Sequence, residues 1–201
     1  MCFSAPVSYV ASGVLALAGI GAMRKAKHKE KMIAIIPLLF AVQQFIEGTQ
    51  WLTISQGKPS TVLGYLFLVF AFLIWPTYTP LAVYKIEANE KRKNILRYFL
   101  YAGILASTAL LIIMFLYPLS INSLRLSIDY NLSFPYSVWG VIIYVTIVAG
   151  SLLASSRKFF NIFGLAVLLS VALASYFYYA TFTSVWCFFA AALSGLIYFY
   201  F

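Results

Sequence analysis

The chain has 201 residues, 63% of them hydrophobic and only 9% charged, with a formal net charge of +9. Its apolar residues come in runs that approach the roughly 20 needed to cross a hydrocarbon layer about 30 Å thick, which excludes an ordinary soluble domain. The basic excess is split among short segments between those runs and not gathered on one face, so no nucleic-acid partner is expected.

Seven apolar segments follow one another: Ala5 to Met23, Met32 to Ile54, Thr61 to Tyr84, Ile95 to Tyr117, Val138 to Ala154, Phe159 to Ala180 and Phe182 to Phe201. Each is continuously apolar, whereas barrel strands would alternate lipid-facing and polar positions over about ten residues. The expected fold class is all-α, a polytopic membrane bundle of seven transmembrane helices. Residues 1–201 are expected to form one domain, since no linker, low-complexity tract or internal repeat is evident. In the first segment the charge follows the apolar run, the reverse of a secretory signal, so it reads as a retained helix.

Of the fourteen basic residues, only Lys58 and Arg125 fall on one side of these segments. The other side holds Arg24, Lys25, Lys27, Lys29 and Lys31 in the first connection, and Lys85, Lys91, Arg92, Lys93 and Arg97 around the third. Arg157 and Lys158 sit there in the fifth. The positive-inside rule then puts the N-terminus outside and Phe201 at the cytoplasmic face. Partners expected on this basis are the lipid bilayer, with anionic inner-leaflet lipid at the basic loops.

In the first segment Ser4, Ser8, Ser12 and Gly19 make a stripe of small residues suited to close packing. The second segment reads Gln43-Gln44-Phe45-Ile46-Glu47-Gly48-Thr49-Gln50-Trp51, and it alone carries an acid well inside an apolar run. Gln43, Glu47 and Gln50 share a helical stripe, and a carboxylate facing lipid would cost about 2 to 3 kcal/mol or more, so the stripe faces the bundle interior. Glu47 then lies in the outer half. Two readings stay open: a group that titrates protons or holds a cation, or a satisfied polar network that joins helices.

In the third segment, Trp75-Pro76 removes a helical hydrogen bond and frees a carbonyl near Phe72. Pro80 is expected to extend the irregularity. The kink reads either as architecture or as a hinge or coordination point.

Between the fourth and fifth segments, Leu124, Leu126, Ile128, Tyr130, Leu132 and Phe134 alternate with Arg125, Ser127, Asp129, Asn131 and Ser133. This period of two predicts a short extended or hairpin element in the outer loop 120–135, lying over the outer mouth. The rival is an interfacial helix using Leu124, Ile128 and Leu132. In the extended form Asp129 and Arg125 share a side and read as a solvated pair.

The aromatic run Tyr176-Phe177-Tyr178-Tyr179 reads as part of an interfacial belt. In the last segment Thr183, Cys187, Ala190 and Ser194 form a small-residue stripe, with Cys187 in the outer half. Cys2 precedes the first segment on the same side. Cys2 and Cys187 could form a disulfide, contribute thiolates to a metal site with Glu47, or stand as two free small side chains. Convergence of these stripes on Glu47 would make a polar pocket opening outward, rimmed by Trp51 and Trp186.

Met1-Cys2-Phe3-Ser4-Ala5, Pro37-Leu38-Leu39-Phe40 followed by Gln43-Gln44 and Glu47-Gly48, Trp75-Pro76 followed by Pro80-Leu81-Ala82, and Ser184-Val185-Trp186-Cys187 occur in this order along nearly the whole chain. In these motifs the sequence resembles an uncharacterised family of small bacterial multi-spanning membrane proteins, a domain of unknown function. The resemblance implies that Cys2, Gln44, Glu47, Trp75 and Cys187 belong to the family pattern, and it implies a bacterial cytoplasmic membrane. It supplies no activity.

His28 is the single histidine and lies among lysines, so a three-histidine zinc site or a bis-histidine haem site cannot be built. No lysine sits in the last segment, which excludes a retinal Schiff base. No phosphate loop, dinucleotide fingerprint or Ser-His-Asp set is present. Cofactors are left unassigned. Three classes remain: a transporter or channel for protons or a small polar or cationic solute, using Glu47, Gln43, Gln44, Gln50, Trp51, Trp75 and Trp186; a sensor that binds such a ligand; and a cysteine- or metal-dependent membrane enzyme.

Overall fold

The computed structural model describes residues 4–124, 127–134 and 138–201. The helices are α1 (Ala5–Lys25), α2 (Lys31–Ala34), α3 (Ile36–Ser55), α4 (Thr61–Leu68), α5 (Trp75–Ile86), α6 (Glu90–Leu116), α7 (Val138–Leu153), α8 (Lys158–Phe177) and α9 (Phe182–Ser194). Strands β1 (Ser120–Leu124) and β2 (Ser127–Asn131) lie between α6 and α7. All seven expected segments are helical, yet among the described residues six continuous helical runs are long and apolar enough to cross a membrane. Val138–Leu153, with 16 residues, is shorter.

Successive helices run back and forth. Antiparallel packing of α1 on α3 shows in the contacts of Ser12 Oγ with Ala41 O at 2.8 Å and of Tyr9 with Thr49 at 3.1 Å. Gly19 allows the close approach, since a Cβ there would lie 2.5 Å from Leu38. The basic connections collect at one end of the bundle and the β1–β2 hairpin at the other. The outward surface is apolar: Leu17, Leu105, Phe115, Trp139 and Phe199 are each more than 70% exposed. The 27-residue α6 buries only Leu96, Gly103 and Met114. Soluble monomers rarely show apolar faces of this extent, whereas lipid-facing helices require them.

The third pass departs from a simple proline kink. A π-helical turn, Val69–Ile74, separates α4 from α5, which begins at Trp75 and runs unbroken through Pro80. The irregularity thus lies before Pro76 and does not extend to Pro80 as expected. Carbonyls on either side of Phe72 are taken up by neighbours, Ala71 O by the Tyr144 hydroxyl at 2.5 Å and Leu73 O by Ser107 Oγ at 3.0 Å. Pro80 has no N–H for the carbonyl of Pro76, and α6 packs against that carbonyl instead: a Cβ at Gly103 would lie 2.0 Å from it.

The loop is a hairpin and not an interfacial helix. Ser120 pairs with Asn131 and Leu124 with Ser127 in an antiparallel register. On β2 and just beyond it Ile128, Tyr130 and Leu132 are buried while Asp129 and Asn131 are half-buried. Leu124 is exposed, because the chain reverses direction before Ile128 and the alternation does not run through as one strand. Burial raises the Asp129 carboxyl above its ordinary value, so this acid is partly desolvated and not fully solvated as expected. Arg125, its expected neighbour, and Leu126 lie outside the described residues. Tyr130 stacks on Phe67 with ring centroids 4.5 Å apart, and Ser127 Oγ donates to Thr181 Oγ1 at 2.8 Å, fixing the hairpin to α4 and to the start of α9.

Candidate functional site

Gln43, Gln44, Glu47 and Gln50 are all fully buried on α3. The Glu47 carboxylate is held from two helices: Ser184 Oγ on α9 donates to Oε1 at 2.5 Å and Gln44 Nε2 donates to Oε2 at 3.3 Å. One turn towards the basic end, Gln43 Oε1 accepts from Trp75 Nε1 at 2.9 Å. Trp75 is itself fixed by stacking on Phe40, with centroids 3.8 Å apart. Cys187, one turn after Ser184, is a buried free thiol beside the Gln43 amide and within electrostatic reach of Glu47. Thus α3, α5 and α9 bring Gln43, Gln44, Glu47, Trp75 and Cys187 together.

The other expected site residues stand around this group. With its amide nitrogen towards Ser60 O at 3.0 Å, Gln50 pairs with the Ser60 backbone and ties α3 to the start of α4. Trp51 packs with the cluster under the hairpin. Trp186 is stacked on Phe182 and meets Tyr144 edge-on. Cys2, and with it the disulfide reading, lies outside the described residues. The small-residue stripe on α9 is Ser184, Cys187, Ala191 and Ser194, one position removed from the expected Thr183 and Ala190, which are half-buried.

The sequence names Ser184 only within the Ser184-Val185-Trp186-Cys187 motif and gives it no place in the site; its spacing of three from Cys187 is the available signal. Ser8 Oγ, Gln43 Nε2, Gln44 Oε1 and the indole nitrogens of Trp51 and Trp186 are buried with no hydrogen-bond partner among the described residues. Each such group costs about 1 to 3 kcal/mol if left unpaired, so their concentration on the helices around Glu47 suits a polar guest or water.

The expected outward-opening pocket is closed. The Glu47 side chain has no exposed surface, and Ile128, Tyr130 and Leu132 of the hairpin share one packed cluster with Cys187. On the side of the basic end, an apolar cavity of about 50 Å³ touches Phe40, Trp75, Thr79, Tyr144, Trp186 and Cys187. That space holds a water or two and no larger molecule. Among the described residues no three His, Cys, Asp or Glu side chains come together, and the thiolate site that would join Cys2 to Cys187 and Glu47 lies in part outside them.

A second buried carboxylate, not anticipated from the sequence, sits at the basic end. Glu87 Oε1 accepts from Asn89 N at 2.9 Å and Ser156 Oγ at 2.5 Å, and Oε2 from Ser156 N at 2.7 Å and Ser155 Oγ at 3.1 Å. Burial alone would raise its pKa, but these donors outweigh it and hold the group down at about 2. Arg157 extends the network to Glu30 at 3.1 Å, to the Ile86 carbonyl at 3.3 Å and to the Tyr200 hydroxyl. Arg92 donates to the carbonyls of Ala154 and Ser155.

The model of a family of unknown function, DUF6629, matches residues 1–201. The chain belongs to that family. No curated protein and no solved structure matches it. Membership of DUF6629 agrees with the resemblance read from the motifs and brings no activity with it.

Proposed function

We propose that this DUF6629 protein binds or translocates protons or a small polar or cationic solute at Glu47. In this reading it is an integral protein of the bacterial cytoplasmic membrane that crosses seven times, hairpin end outward and basic end inward. Anionic lipid lies at the basic loops. The supporting observation is the carboxylate of Glu47, fully buried between α3 and α9 near polar atoms that have no hydrogen-bond partner among the described residues. An acid at such depth is expensive, and its neighbours Ser184 and Gln44 can donate to the charged form or turn to accept from the neutral one.

The test is flux in proteoliposomes under an imposed proton or cation gradient. Wild type should dissipate the gradient, and Glu47→Gln should fall to the protein-free rate while keeping its helical circular dichroism. Equal flux from both proteins removes Glu47 from this role.

The closed hairpin favours a second reading, a receptor whose ligand is retained without passage. Binding that raises the unfolding temperature equally with and without a gradient, and produces no flux, would select it.

A further inference from the structure

We propose a binding site for a phosphate-bearing anion in the cleft at the basic end, formed where the first connection, the end of α5, the start of α6 and Arg157 meet. This cleft measures about 650 Å³, far more than the cavity beside Glu47. Four cations, Lys29, Lys85, Lys93 and Arg157, line it together with His28 and two carboxylates, Glu87 and Glu90.

The hydrogen bonds and ion pairs decide which of these charges are available. Glu87 is filled by its four donors. Arg157 is taken by Glu30, Ile86 and Tyr200, and Lys93 pairs with Glu90 at 3.5 Å. Lys29 and Lys85 are exposed and have no ion-pair partner among the described residues. The result is a concave surface in which cations outnumber carboxylates and two ammonium groups stand outside any ion pair among the described residues, a geometry that concentrates positive potential.

Its walls are held in place. Glu87 joins the α5–α6 connection to the α7–α8 connection, and Arg157 joins both to Glu30 and to the C-terminal turn, so little ordering is needed when an anion arrives. Met32, Ile86 and Ala88 supply an apolar flank. The cleft lies where the apolar helices end, the depth of lipid phosphates in a bilayer. A phosphate diester on a lipid and free phosphate present the same recognisable chemistry.

The site rests on the reading that the basic loops meet anionic lipid and not on Glu47, so it is tested without reference to flux. Unfolding temperature of the whole purified protein is followed by tryptophan fluorescence in detergent. Phosphatidylglycerol is compared with phosphatidylcholine, and inorganic phosphate with chloride at matched ionic strength. Wild type is compared with Lys29→Gln/Lys85→Gln and with Lys58→Gln, a charge loss at the opposite end.

Stabilisation by phosphatidylglycerol that weakens roughly thirtyfold in affinity in the double variant and survives in Lys58→Gln supports a lipid headgroup. The same pattern with inorganic phosphate alone supports a free anion. No stabilisation by either, or an equal response in the double variant, overturns the site.

Discussion

Glu47 and Glu87 are both buried carboxylates, and they solve the problem of burial in opposite ways. Glu87 sits in a loop, meets two backbone N–H groups and two hydroxyls, and has every short-range position filled. Glu47 sits deep within α3, where a hydroxyl and a side-chain amide are among the groups that meet it, and the surrounding helices carry buried polar atoms with no hydrogen-bond partner among the described residues. Fixed donors make a carboxylate a structural rivet; partners that can rotate are able to serve either protonation state. The difference lies in what the partners are, and burial alone does not reveal it.

The sharpest way to break this contrast is to make the same change at both positions. Glu87→Gln places an amide NH₂ against backbone and hydroxyl donors that cannot all turn away, and should cost about 3 kcal/mol of stability in denaturant unfolding in detergent. Glu47→Gln should cost less than about 1 kcal/mol, because the Ser184 hydroxyl and Gln44 amide can reverse. Equal losses would erase the distinction.

Acid sharpens it next. With its pKa lowered from 4.5 to about 2, Glu87 contributes stability that is present above about pH 4.5 and lost as pH falls towards 2, a loss of up to about 3 kcal/mol. Unfolding midpoints measured across that window should fall in wild type and stay flatter in Glu87→Gln.

Smaller effects test the Glu47 side. Ser184→Ala removes the 2.5 Å donor and should cost about 1 to 2 kcal/mol, with an altered pH dependence of any flux. Trp75→Phe keeps a ring against Phe40 but loses the bond to Gln43, and should cost about 1 kcal/mol by the same unfolding measurement.

Much of the architecture was legible because hydrocarbon imposes simple rules. Continuous apolar runs marked every helix, and the alternation of Ile128, Tyr130 and Leu132 marked a strand. The burial of Gln43, Glu47 and Gln50 followed from their shared stripe and the cost of exposing an acid to lipid. What escaped was information carried between segments. Nothing in Lys85-Ile86-Glu87 says that Ser155 and Ser156, across a distant connection, will close around that acid. Ser184 could be told from Thr183 only once the rotation of α9 was set by its neighbours. Pro76 announced a disturbance, but its form, a widened turn before the proline, depended on Tyr144 and Ser107 being in reach of the exposed carbonyls.

That widened turn between Val69 and Ile74 carries a consequence for the phase of the third pass. A π turn accommodates one additional residue, and each residue of an α-helix advances the azimuth by about 100°, so the insertion re-aims everything downstream of it. Phe67 upstream is thereby directed at Tyr130 while Trp75 downstream is directed at Gln43. Deleting a single residue from this turn would leave two good helices whose faces no longer address the hairpin and the glutamine at the same time.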